Sequence, residues 1–325
     1  MAGLSVEQLE SFNQQGFVVV DDVVDPVADL DPIVHEYEGV LDKLADELFE
    51  AGAISSRYEG LSLSERLTRV YAESGRSHQQ WFDPSLPQSG ITADTPMWTG
   101  PAMFRLFRSA GLQDRLESLL GSEIMSNPVQ HVRIKMPEHL MPAEVMNAKG
   151  GGGATPWHQD NGVVTEDADD TQIVTVWLPL FDATVEMGCL AVVPGSHRNG
   201  LLSHCPSPDN GRIHVPDKLF HPEAAVPVPM RRGSAIFMHR CTLHSSLPNV
   251  SDQVRWSLDL RFQPVGQPTG RSVFPGFVTR SRLNPDTELR DPQAWTDMWL
   301  KARSELAERE QPRFNRWDSD APVCA

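Results

Sequence analysis

The chain is short of basic residues: 28 Lys and Arg stand against 44 Asp and Glu, a formal net charge of −16. A nucleic-acid-binding surface needs a basic patch, so the balance argues against that partner, and it disfavours a substrate carrying several phosphates. Cysteine is scarce as well. Cys189, Cys205, Cys241 and Cys324 are scattered and form no C-x-x-C pair, which predicts a reduced intracellular protein without a disulfide framework. No apolar run reaches membrane-spanning length. The segment from Met1 to Gln8 has neither the basic nor the apolar region of a signal peptide. A cytoplasmic protein that engages neither membrane nor nucleic acid is expected, and no oligomeric state is legible. There is no G-x-S-x-G elbow. Lys149 precedes the run Gly150 to Gly153 and no Gly-Lys-Ser/Thr follows, so this is not a phosphate-cradling loop. It reads instead as a flexible approach to the strand after it.

The 325 residues show no internal repeat and no low-complexity linker. A single domain is expected, with a helical part over about 1–122, a β core over about 123–264, and a C-terminal helix and tail. Ser5-x-x-Gln8 is a capping-box pattern that opens a helix, Gly16 would end it, and Phe17 to Val20 reads as a buried strand. Apolar residues have helical spacing over 28–52, over roughly 63–74, and over 100–120 up to Gly121. Beyond about 123 the texture is β: Val129 to Met136, Ile173 to Leu180, Leu190 to Val193, Ala235 to His239 and Arg255 to Phe262 are separated by Pro and Gly punctuation. Thr165 to Asp170 reads as an acidic surface loop. Residues 199–223, rich in Pro, Ser, Asn, Asp and His, form a long insertion of the kind that is often a lid or a disordered segment. Trp295 to Glu310 reads as a helix, followed by an extended tail through Asn315, Arg316 and Trp317. Helices first and short strands later predict a mainly β fold with flanking helices, an antiparallel jelly roll.

His158-Gln159-Asp160 carries the chemistry. Alternate residues on a strand share a face, so His158 and Asp160 would project side by side, with Gln159 directed away. A surface His and Asp in a loop is the bland alternative, and context argues against it. Trp157 precedes the motif, a strong strand follows it, and a second imidazole lies on a later strand. His239 and His244 compete for that place. Five residues apart on an unbroken strand, they would face opposite sides. Ser246 and Arg255 nearby favour His244, leaving His239 as a structural residue. His197, His204, His214 and His221 read as solvated or capping, with His221 or Arg212 reaching a substrate if their loop closes. Two imidazoles and a carboxylate are the set that holds a ferrous ion on one face and leaves the opposite positions open. Arg255, one hairpin beyond His244, is what a dicarboxylate co-substrate would require.

Trp157-His158-Gln159-Asp160, Val176-Trp177-Leu178-Pro179-Leu180, Gly188-Cys189-Leu190, Pro194-Gly195-Ser196-His197, His244-x-Ser246 and Arg255 together resemble the phytanoyl-CoA dioxygenase family, over roughly residues 5–262. The resemblance implies a double-stranded β-helix, cupin-like, with Fe(II) on His158, Asp160 and His244. It further implies 2-oxoglutarate held by Arg255 and Ser246, a pocket lined by Trp177 and Gln159, and His131 at another cofactor-contacting position. O2 is the second co-substrate. The implied reaction is hydroxylation of a small metabolite or natural-product intermediate, with desaturation or cyclisation as related outcomes. Related halogenases lack the carboxylate that Asp160 supplies. Two rivals are a zinc-dependent hydrolase with water in the fourth position, which leaves Arg255 and Ser246 without a role, and a non-catalytic jelly-roll binding protein, which needs no converging ligands.

Overall fold

Local signals set the helical front end. Ser5 accepts from Gln8 N while Gln8 returns a bond to Ser5 N, and this box opens α1 (Val6–Gln15), which Gly16 closes at φ 81°. The computed structural model describes residues 3–147, 153–207 and 212–324, so the approach expected over Gly150 to Gly152 lies outside the described residues. After β1 (Phe17–Val20) come α2 (Asp31–Glu50), α3 (Leu63–Ser74), α4 (Pro101–Phe107) and α5 (Ala110–Leu120). The helix expected over 100–120 is thus two helices. Ser109, at ψ 137° and without a side-chain cap bond, leaves the helical conformation as the N-cap of α5 and so divides the two.

The β core and C-terminus follow as β2 (Glu123–Ser126), β3 (His131–Lys135), α6 (Ala143–Asn147), β4 (Val174–Pro179), β5 (Leu190–Val192), β6 (Cys205–Pro206), β7 (Ile213–His214), β8 (Val226–Val228), β9 (Ala235–His239), β10 (His244–Ser246), β11 (Arg255–Pro264), β12 (Phe277–Ser281) and α7 (Pro292–Ala307). The larger antiparallel sheet runs β1-β9-β4-β11-β2-β12, with β3 also paired to β11; the smaller runs β10-β5-β8. These sheets form the expected jelly roll. β1 lies at a sheet edge, where Val19 is exposed, so the strand is half-buried rather than fully buried.

Strand β11 organises both layers. Its sequence alternates strictly, and the two faces do different work. Trp256, Leu258, Leu260 and Phe262 join the core formed with the helices. There Tyr37 of α2 stacks on Trp256 at 4.9 Å, and Phe107 of α4 meets Phe262 edge-on at 6.1 Å. Arg255, Ser257, Asp259 and Arg261 take the alternate positions and face the inside of the roll.

The cysteine expectation requires correction. Cys205 and Cys324, 119 residues apart, form a disulfide, while Cys189 and Cys241 are free and buried. The pair carries no local spacing, and only the path of the tail brings its members together. Beyond α7 the chain passes back over residues 161–169: Trp317 Nε1 donates to the Gly162 carbonyl at 2.7 Å, and Arg316 pairs with Asp169 at 2.7 Å. The segment 199–223 is accordingly anchored at Cys205 and folded partly into the β6–β7 hairpin. Thiol titration of the unreduced, denatured protein should count the two free cysteines. Reduction should expose all four and lower stability by about 2–4 kcal/mol in chemical denaturation. Four reactive thiols before reduction would contradict the bond.

Candidate metal centre

The strand expected to carry the motif is reduced to a single antiparallel bridge, His158 to His244. Each donates its backbone N–H to the other's carbonyl, at 2.9 and 3.0 Å. Residues directly opposite in such a bridge project to the same face, and the two rings lie 4.2 Å apart, centroid to centroid. Gln159 stays extended, so Asp160, two residues on, joins them before the chain turns into a short 3₁₀ segment. Gly162 in that turn is required by space: a Cβ there would sit 2.3 Å from His204 Nε2. His239 ends β9 in the other sheet, where its Nδ1 accepts from Cys241 N and its ring lies 5.3 Å from that of His197. The break between β9 and β10, not strand parity, separates the two candidates.

Ring orientation follows from hydrogen bonding. His158 Nδ1 lies 2.9 Å from the Pro156 carbonyl and His244 Nδ1 lies 3.0 Å from the Thr242 carbonyl. A carbonyl can only accept, so each Nδ1 carries the proton and each Nε2 presents its lone pair. Burial, then the neighbouring His244, pushes the His158 pKa well below its ordinary value, which keeps the ring neutral. Burial alone would raise the Asp160 carboxyl. The Arg261 guanidinium reverses that and holds it well below the usual carboxylate range. Arg261 grips Asp160 Oδ1 through Nη2 and is itself fixed by Nη1 donating to the Val129 carbonyl at 2.9 Å. Asp160 Oδ2 is buried with no hydrogen-bond partner, 3.9 Å from His244 Nε2. A buried carboxylate oxygen without a partner is costly, and a cation would satisfy it. One ligand atom from each of His158, Asp160 and His244 lies within 4.8 Å of the others. The donor set fits a metal held on one face.

The cavity continues from these ligands to Ser246, Trp177 and Arg255. Arg255 is buried, its guanidinium 5.5 Å from the Trp177 ring centre, with Nη1 donating to Ser257 Oγ at 2.6 Å and Nε unpartnered. Burial lowers its pKa to about 10, so it remains a cation at neutral pH. Two other expected residues are not brought into the cavity. Gln159 spends its amide on backbone: Nε2 donates to the carbonyls of Gly200 and Cys241, and Oε1 accepts from Leu202 N. His131 lies on the cavity side of β3 but its Nδ1 is engaged by Asp83 at 3.1 Å, and burial lowers its pKa. His204 is buried, not solvated; its Nε2 accepts from Gln159 N at 3.0 Å. His221 is exposed and paired with Glu223, whereas Arg212 reaches the Ala154 carbonyl at 3.4 Å. Sequence reasoning missed Arg261, and also Arg133 and Asp259, which line the cavity as an ion pair at 3.1 Å. The alternation of polar residues from Arg255 to Arg261 was the available signal.

Residues 12–257 match the phytanoyl-CoA dioxygenase (PhyH) family. The chain belongs to that family. This dioxygenase is Fe(II)- and 2-oxoglutarate-dependent, and the zinc-hydrolase and binding-protein alternatives fall away. It is 25% identical over 264 residues to a phytanoyl-CoA dioxygenase of Arabidopsis thaliana, covering 79% of this chain and 88% of that protein. It is 32% identical over 125 residues to the 1-deoxypentalenic acid 11-beta-hydroxylase of Streptomyces arenae, covering 36% and 43% respectively. Among solved structures, the non-heme monooxygenase ThoJ shares the fold at a TM-score of 0.56 and 19% identity, covering 92% of this chain and 96% of that one.

Replacing Arg261 by Met leaves a buried carboxylate uncompensated. The metal-free protein should lose about 3–5 kcal/mol in denaturant unfolding, and added Fe(II) should restore part of it. A loss below about 1 kcal/mol, the scale of an exposed pair, would show that Arg261 does not support Asp160.

Proposed function

We propose that His158, Asp160 and His244 hold Fe(II), that Arg255 and Ser246 hold the far carboxylate of 2-oxoglutarate, and that the enzyme hydroxylates, or similarly oxidises at C–H, a small metabolite or natural-product intermediate. The observation that carries the reading is the unpartnered Asp160 Oδ2 facing two imidazoles whose Nε2 atoms are free. The bound iron, with O2, supplies oxidative decarboxylation of 2-oxoglutarate to succinate and CO2 coupled to substrate oxidation.

The chain's own groups provide the rest. Arg255 offers a fixed planar fork, and its Nε has no competing partner. Trp177 walls the cavity beside it, and the helix-packed outer face of β11 keeps the strand in place. Gln159 acts behind the metal by fixing the 200–202 backbone, and His131 buttresses β3 through Asp83. Arg133 and Asp259 line the same cavity and supply one donor and one acceptor side chain to the substrate. Likeness to a 1-deoxypentalenic acid 11-beta-hydroxylase supports a natural-product substrate, and the net acidic charge agrees with an uncrowded small molecule rather than a polyphosphate. No helix among the described residues is long and apolar enough to cross a membrane. A cytoplasmic location belongs to the same proposal; the Cys205–Cys324 bond, which favours an oxidising compartment, weighs against it.

Anaerobic addition of 2-oxoglutarate to the Fe(II) protein should give a weak visible charge-transfer band. Arg255→Ala should weaken 2-oxoglutarate binding roughly 10- to 100-fold, as loss of a charge-assisted hydrogen bond of about 1.5–3 kcal/mol implies. Absence of the band in wild-type protein, together with tight zinc binding, would sink the proposal.

A further inference from the structure

Lys135 is an unusual residue to find where it is. Strand β3 turns Val132 and Ile134 into the helix-packed core and His131, Arg133 and Lys135 to the other side. Lys135 stands directly opposite Arg255 in the β3–β11 register. It is 2% exposed, and among the described residues no carboxylate lies within ion-pair distance of it. Burial, with the Arg255 charge next, drives its pKa down to about 6. Its stem passes beneath Gly188, where φ is 76° and a Cβ would stand 2.7 Å from Lys135 Cδ. Nothing about holding the fold together asks for an amine here, since a buried ammonium without a counter-charge is costly.

The amine is nonetheless fully engaged. Nζ donates to Ser246 Oγ at 2.7 Å and to the Leu247 carbonyl. Ser246 Oγ also accepts from Thr155 N at 2.9 Å. A serine hydroxyl has two acceptor lone pairs and one proton. With both lone pairs taken, the Ser246 proton is left to donate, and Ser246 lines the cavity together with Arg255. We propose that Lys135 is a positioning residue that locks Ser246 as a hydrogen-bond donor to the far carboxylate of 2-oxoglutarate. The assignment rests on the reading of Arg255 and Ser246 given above. Lys135 acts through Ser246, and the group served is an acceptor with no proton of its own, which is what a carboxylate is.

The test is anaerobic titration of the Fe(II)-loaded protein with 2-oxoglutarate, followed by the visible charge-transfer band, alongside thermal unfolding of the same samples. Lys135→Met keeps the length and apolar stem and removes the donor. It should weaken 2-oxoglutarate binding about 10-fold while leaving Tm unchanged or raised. Ser246→Ala should weaken binding to a similar extent, and the double variant should bind no worse than either single one, because the two act as a unit. Binding by Lys135→Met within two-fold of wild type overturns the role of Lys135 and leaves the carboxylate site standing. A lowered Tm with effects that simply add in the double variant also overturns it, since that is the signature of a structural clamp. If wild-type protein binds no 2-oxoglutarate, the reading of the whole site fails with it.

Discussion

The structure depends on one constraint: the period-two alternation of β11, held between β3 and β4 in fixed register. Because every second residue of Arg255 to Phe262 is large and apolar, that face must bury against the helices, and stacking of Tyr37 on Trp256 fixes how. A slip of one residue would turn Trp256 and Phe262 into the roll and Arg255 and Arg261 into the helix layer. The same event would strip Asp160 of its guanidinium and move the cation facing Ser246. Core packing and the placement of the site are therefore a single decision.

The inward face of the larger sheet also explains how an acidic protein accommodates an acidic co-substrate. The net charge is −16, yet β3 and β11 contribute Arg133, Lys135, Arg255 and Arg261 to one interior. Two of these cations are already matched, Arg133 by Asp259 and Arg261 by Asp160. Arg255 is not, and Lys135, whose amine burial leaves mostly uncharged at neutral pH, lies beside it at the same end of the strands. Under the proposed assignment, an unmatched positive end next to a matched one would give a dicarboxylate a defined polarity in the cavity, with one carboxylate drawn to Arg255 and the keto-acid end toward His158, Asp160 and His244.

Much of this was legible in the sequence, for identifiable reasons. His158 and Asp160 are separated by the spacing of alternate strand residues, and even a strand reduced to one bridge keeps that geometry. His244 was distinguishable from His239 by its neighbours, although the physical cause is the break after β9, which sends the two residues to different sheets. Arg261 and Lys135 were missed, because the alternation that marks them is ambiguous. A polar residue at every second strand position reads as a solvent-facing edge, and only closure of the roll turns that face inward. The split of the 100–120 helix hung on one serine conformation. The Cys205–Cys324 pair depended on the tail returning across the molecule, which no periodicity encodes.

That return bears on the metal ligands more than its place in the sequence suggests. A motif held by a single bridge has little support of its own, whereas ligands must be held to within about half an ångström to bind a metal productively. The missing support comes from remote chain. Gln159 fastens the 200–202 backbone and the turn at Cys241 from within the motif. His204, from that same segment, accepts from Gln159 N and packs its ring 4.9 Å from Trp317. Trp317 closes on the Gly162 carbonyl directly after Asp160 and Asn161, and the disulfide ties the end of the tail back to Cys205, next to His204. The loop and the tail thus brace the ligand segment from behind, opposite the cavity. The rigidity that a longer strand would have provided is supplied by tertiary contacts, and the face toward the substrate is left open.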